Sequence, residues 1–155
     1  LARLGAPLLV SIVDALSCGS LPEVPQDDSA ATYARRVVRE DGTIDWQMSA
    51  AAIHNLIRGL HPWPHAFTYH RGRRLILRRS APVPAGPPGA SHSGGPALLA
   101  AGTIVEAGGD RLHVATGLGV LAIAELQAEG RRPMPAREFL AGTRLTAGDV
   151  LTKEP

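Results

Sequence analysis

The sequence predicts a mainly β domain, a small barrel with short flanking helices. Three observations carry that expectation. Five short runs with strand-like composition fall between residues 66 and 127. Glycine-bearing turns separate several of them, and helical spacing is confined to segments on either side. The 155 residues suffice for one domain plus an appendage, with a core that needs neither disulfide nor metal.

In chain order, Leu1, Leu4, Leu8, Ile12 and Leu16 recur at helical spacing, and Gly19 is placed to end a helix over roughly the first 18 residues. Pro7 either kinks that helix or marks its true start. Residues 21–42 turn polar and proline-bearing, as a linker laid along a surface does. Ser49 can cap a second helix, whose Ile53, Leu56, Ile57 and Leu60 form one apolar face and which Pro62 and Pro64 terminate. Strands are expected at 66–70 and 73–81 around an Arg71-Gly72 turn, then at 101–106, 111–116 and 120–127. The Pro/Gly/Ser-rich stretch 82–96 reads as a flexible surface loop, and a last helix is expected over 135–140, with Pro135 at its start and Gly142 as its cap.

The formal net charge of +2 conceals an uneven distribution: residues 1–34 carry −3, residues 35–79 carry +6 and the remainder −1. Arg35, Arg36 and Arg39 stand on the linker, and Arg71, Arg73, Arg74, Arg78 and Arg79 flank or occupy the first hairpin. A guanidinium fork suits phosphate, so this segment is a candidate for tracking a nucleic-acid backbone. Charge alone leaves a second reading open, a solvated arginine-rich surface. Trp63, Phe67 and Tyr69 lie near the hairpin, but a tryptophan at a Pro-Trp-Pro corner is expected in the core more often than as a base-stacking platform.

Other chemistries find little support. His54, His61, His65 and His70 crowd a short stretch, yet two prolines interrupt it and Cys18 lies far off, so no metal site is expected. Gly117-Leu118-Gly119 lacks the third glycine and following helix of a dinucleotide loop and reads as a hairpin turn. No nucleophile motif is present. Cys18 is the only cysteine, which suits a reducing cytoplasm, and no run approaches the roughly 18 apolar residues of a membrane span.

Several blocks resemble the methionyl-tRNA formyltransferase family. Leu4-Gly5-Ala6 with Leu8-Leu9 is similar to the last helix of the family's catalytic domain, and Pro25-Gln26-Asp27 with Ala31-Thr32-Tyr33-Ala34 to its linker. Asp41-Gly42, Ile44-Asp45-Trp46, Ile53-His54-Asn55, Ile57-Arg58, Pro62-Trp63-Pro64 and Ala66-Phe67-Thr68 continue the likeness, which several folate-dependent formyltransferases share. Glu125-Leu126-Gln127, Gly130-Arg131-Arg132, Met134, Ala136 and Glu138-Phe139-Leu140-Ala141-Gly142 resemble the methionyl-tRNA branch in particular. The long Pro/Gly/Ser loop departs from the family pattern, and so does the lack of a counterpart to one linker lysine.

The resemblance implies a C-terminal part: residues 1–20 as a helix left over from a Rossmann-like catalytic domain, 21–43 as a basic linker, and 44–155 as an OB-fold-like barrel. It implies initiator methionyl-tRNA as partner and 10-formyltetrahydrofolate as the parent's formyl donor, with no cofactor in this part. The motifs that carry the family's catalytic residues find no match, so no catalytic residue is assigned and the chain alone is expected to be inactive. The candidate tRNA-binding set joins Arg35, Arg36 and Arg39, which occupy the family's basic linker, to Arg71, Arg73, Arg74 and Arg78, taken from the charge of the first hairpin, and to Arg131 and Arg132 of the later family-matching block, for which RNA contact and simple solvation both stay open. With the N-terminal catalytic domain missing, the first helix is expected to self-associate through residues 1–18. The alternatives are a structural module that orients the catalytic half, or the matching domain of another folate-dependent formyltransferase.

Overall fold

In the computed structural model, which describes residues 2–84 and 99–155, the chain divides into two units, Leu1–Arg35 and Arg36–Pro155. Most of the expected loop, from residue 85 to 96, lies outside the described residues, as does Leu1 of the first apolar stripe.

The first unit is built on helix α1, Ala2–Ser17, which passes through Pro7 unbroken. It ends as the sequence suggests. Gly19 takes a positive φ of 64°, the Gly19 N–H donates to the Leu16 carbonyl and the Ser20 N–H to that of Ala15, so two terminal carbonyls are satisfied. No residue of α1 is buried: Leu4, Leu8, Leu9, Val10, Val13 and Leu16 are all exposed.

The second unit holds the sheet. Helix α2, Ala50–Gly59, starts where Ser49 accepts the Ala52 N–H at 3.2 Å, and Ile53 and Ile57 are its buried face. The strands are β1 Ala66–His70, β2 Arg73–Pro82, β3 Ile104–Gly108, β4 Arg111–Ala115, β5 Val120–Ala128 and the short β6 Met134–Pro135, followed by helix α3, Ala136–Gly142. All pairings among them are antiparallel, in the order β1-β2-β5-β4-β3 with β6 on β5. The fold is mainly β, as expected, but the sheet is open because β1 and β3 do not pair with each other.

The C-terminal segment spans that opening. The N–H groups of Tyr69 and Thr152 each donate to the other residue's carbonyl at 2.9 Å. On the β3 side, the Ile104 N–H donates to Asp149, the Gly148 N–H to Ile104 and the Leu151 N–H to Gly102. The sequence carries no strand signal here, since these contacts are isolated bridges and not a ladder.

The core lies between the inner sheet face and the helices: Ile44, Trp46, Ile53, Ile57, Leu75, Leu77, Ile104, Leu112, Val114, Leu121, Ile123, Leu126, Phe139 and Leu151 are all buried. A fully buried side chain of this size contributes about 1.5–3 kcal/mol. Strict alternation after Leu121 and Ile123 would bury Glu125. The β2/β5 register shifts near Arg79, and Leu126 takes the inward position instead. The single buried indole N–H, that of Trp46, donates to Thr68 Oγ1 at 3.0 Å, and Thr68 donates onward to the Thr152 carbonyl at 2.8 Å.

Gly117 does more than turn a hairpin. Its N–H donates to both Trp46 and Met48 carbonyls, and a Cβ placed on it would lie 1.8 Å from the Gln47 carbonyl oxygen. Only glycine permits that backbone approach. Trp63 corrects an expectation: it is 61 % exposed, because Pro64 beside it occupies the buried position of the corner.

Candidate nucleic-acid interface

The first hairpin and the linker end position most of the arginines singled out above. Arg71 and Gly72 both adopt positive φ, 50° and 74°, as a two-residue type I′ turn requires, and this fixes Tyr69 opposite Arg74 and His70 opposite Arg73. A 3-10 turn at Arg39–Gly42 then brings the linker onto β1, where the Ile44 N–H donates to the Phe67 carbonyl.

Three of the nine arginines are held by carboxylates. Arg71 donates to Asp149 at 3.0 Å, Arg78 lies 3.7 Å from Glu125, and Arg132 pairs with Glu138. Arg78 is half-buried and also approaches His65 Nε2 and Gln127 Oε1, both at 3.4 Å. Arg35 and Arg36 are exposed on the linker, and each has an interaction partner. The other four, Arg39, Arg73, Arg74 and Arg131, make no ion pair among the described residues.

These four line two grooves. One, of about 560 Å³, is lined by Arg39, Glu40, Thr43, Phe67, Tyr69, Arg74, Glu129 and the C-terminal Lys153, Glu154 and Pro155. The other, of about 370 Å³, includes His70, Arg73, Arg131, Met134, Glu138 and Phe139, and it shares Glu129 with the first. The Arg74 guanidinium sits 4.2 Å from the centre of the Phe67 ring, and its Nε is buried without a hydrogen-bond partner among the described residues. Phe67 in turn packs edge-on against Tyr69.

Sequence reasoning missed Lys153. Its signal was available, as the only lysine among 16 cationic residues, but nothing in the chain order indicates that the C-terminal end reaches β1. Arg79, noted in the basic segment, is exposed and makes no ion pair among the described residues.

The histidine stretch is dispersed. His54 Nδ1 is 3.2 Å from the Ser80 hydroxyl, His61 and His65 lie ring to ring at 5.3 Å, and His70 Nε2 is 3.7 Å from Asp149. No group of three or more His, Cys, Asp or Glu suited to a metal occurs among the described residues. No helix among them is long and apolar enough to cross a membrane.

Burial holds the His65 imidazole below its usual value, and Arg78, His61 and Arg74 push the same way. Burial also lowers His70, opposed by Asp149, while Asp149 itself is lowered chiefly by the Thr146 N–H it accepts and further by Arg71. For all three groups the unfolded chain binds more protons than the folded one, so each loss of pH takes away stability. The histidine contribution is fully present above about pH 6.5 and falls away as the pH drops below it. Urea midpoints should therefore decrease between about pH 7.5 and pH 5.5, with a shallower decrease in His65→Gln. A midpoint that rises on acidification would contradict this.

Comparison with known proteins adds the following. A profile described as "Formyl transferase, C-terminal domain" matches residues 36–144. The chain is 41 % identical over 154 residues to the methionyl-tRNA formyltransferase of Citrifermentans bemidjiense, covering 99 % of this chain and 45 % of the relative. It is 43 % identical over 151 residues to that of Solibacter usitatus, covering 97 % and 45 %. Thus the chain spans less than half the length of these curated relatives. Among solved structures, a variant of HypX from Aquifex aeolicus superimposes with a TM-score of 0.56 at 13 % identity, over 86 % of this chain and 22 % of that one. HypX in complex with tetrahydrofolic acid gives 0.55 at 12 %, over 85 % and 22 %. At that identity the likeness concerns the fold alone.

Proposed function

The chain belongs to the formyl transferase C-terminal domain family, and from that premise we propose that it is the tRNA-holding part of a methionyl-tRNA formyltransferase. In this reading formyl passes from 10-formyltetrahydrofolate to initiator methionyl-tRNA on a catalytic domain of the kind the longer relatives can accommodate. The work is done in the cytoplasm, where the exposed Cys18 stays reduced.

One observation carries the reading. Arg39, Arg73, Arg74, Arg131 and Lys153 line two grooves that adjoin at Glu129, and none of them has an ion-pair partner among the described residues. Carboxylates share both grooves, so the attraction rests not on net charge but on cations that no direct ion pair occupies, and guanidinium groups grip phosphate directly. Arg71, Arg78 and Arg132 must first leave a carboxylate, so they contribute less. The exposed Arg132 pair is worth about 0–1 kcal/mol, so its exchange for phosphate costs little, whereas the half-buried Arg78 is held more firmly. The test is a filter assay at low salt: the purified chain should retain initiator tRNA and, in a single-turnover reaction with 10-formyltetrahydrofolate, yield no formylated product. Failure to retain tRNA would leave the module as a structural support for catalysis.

A second role rests on α1, whose six exposed large apolar side chains have no cover within their own unit. Each would gain roughly 1.5–3 kcal/mol from full burial, so we propose that a second copy of the helix covers it. Light scattering should give a mass above that of the monomer, and deleting residues 1–18 should return it to the monomer. Equal monomer masses for both would rule self-association out.

A further inference from the structure

On the reading that this surface holds tRNA, we infer that the groove formed by Arg39, Tyr69, Arg74, Glu129 and Lys153 seats a single phosphate of the RNA, with its cations converging on that one group. It does not track a run of backbone.

The cations come from three distant parts of the chain: the linker turn, β2 and the C-terminal end. Their meeting in one groove is built by the fold and not by local sequence. Carboxylates line the same groove, at Glu40, Glu129 and Glu154, yet none lies within ion-pair distance of Arg39, Arg74 or Lys153 among the described residues. Successive phosphates entering here would meet those carboxylates and be repelled. One phosphate, placed among the cations, avoids them and supplies the direct partner that the carboxylates do not.

Arg74 supports the same conclusion. Its guanidinium lies over the Phe67 ring with no acidic partner, and its buried Nε has no acceptor among the described residues. Phe67 is itself held, because Gly42 approaches its ring closely enough that an added Cβ would be 3.2 Å away. A guanidinium oriented in advance loses little freedom on gripping an oxyanion.

The assignment makes a quantitative demand, because the salt dependence of binding counts phosphates neutralised and not cations present. Each neutralised phosphate contributes about 0.7–0.9 to the slope of log affinity against log salt. With the full chain and an initiator tRNA transcript, Arg39→Gln and Lys153→Gln should each weaken binding, and the double variant should flatten the slope by about 0.7–0.9 in total. Arg73→Gln, in the other groove, should add its own decrement independently. Both substituted side chains are exposed, so loss of fold is not at issue, and circular dichroism checks it. Flattening by about twice that amount in the double variant would mean that the two cations track separate phosphates, and no change would mean that the groove carries none. Either result overturns the inference while tRNA binding itself stands. A wild-type chain that retains no tRNA at all would remove the underlying reading and this inference with it. Equilibrium dialysis with labelled AMP separates backbone phosphate from free nucleotide: no saturable uptake is expected. Micromolar AMP binding lost in Lys153→Gln, with tRNA binding unaffected, would overturn the RNA assignment.

Discussion

Gly117→Ala is expected to cost the second unit about 3 kcal/mol or more, enough to unfold a domain of ordinary stability. The added Cβ would lie 1.8 Å from the Gln47 carbonyl oxygen and 2.6 Å from its carbon, and both contacts are backbone, which cannot rotate away. Relief requires the 46–48 loop to retreat, which breaks the Gly117 hydrogen bonds to Trp46 and Met48 and disturbs the buried Trp46 indole. Gly59→Ala provides the opposite sign. It lies in α2 with open space around it, and should stabilise by about 0.5 kcal/mol through the entropy of the unfolded chain. Urea denaturation of the two variants reads both effects, and equal midpoints would show that the close approach at Gly117 is not maintained in solution.

Joint reversal of Arg35, Arg36 and Arg39 to glutamate is expected to weaken tRNA binding more than about tenfold near 0.1 M salt, and to flatten the salt slope by about 2. All three side chains are exposed and none contributes to the core, so the far-ultraviolet dichroism should not change. Arg39 has the second consequence of emptying one side of the groove that it shares with Lys153. An unchanged affinity in this variant would take the linker out of the RNA path. Reversal of Arg132 should matter less than reversal of Arg131, because Arg132 is already engaged by Glu138 whereas Arg131 lines a groove without an ion-pair partner among the described residues.

The strands were legible because their chemistry is local. The Arg71-Gly72 turn and the alternation of Leu75 and Leu77 each depend on neighbouring residues, and β1, β2, β4 and β5 end within a residue of the positions expected, whereas β3 runs Ile104–Gly108 and not 101–106, because residues 101–102 form a turn and Thr103 only an isolated bridge to Val150. The linkage of Gly148 to Thr152 with both sheet edges was not legible, since five residues that bridge two distant strands show no periodicity of their own. The register shift near Arg79 was equally hidden: it depends on which residue of β5 meets β2, and only the pairing fixes that. At the interface, the sequence supplied the arginines but not their state. Whether an arginine is available depends on acids such as Asp149 and Glu125, which reach Arg71 and Arg78 only through the fold. Lys153 was missed for the same reason, as its place beside Arg74 follows from the C-terminal segment crossing β1. Trp63 was misplaced because sequence does not tell which residue of a Pro-Trp-Pro corner turns inward, and here Pro64 does.

The central claim is that exposed arginines of the linker and the cations of the two grooves hold tRNA through its phosphates. The measurement that tests it most directly is the affinity of the wild-type chain for initiator tRNA, titrated by filter binding across salt. Arg35 and Arg36 on the linker, one phosphate in the first groove and one in the second amount to about four contacts, so log affinity against log salt should fall with a slope between about −2.8 and −3.6. A slope near zero, or no retention of tRNA at low salt, would contradict the account.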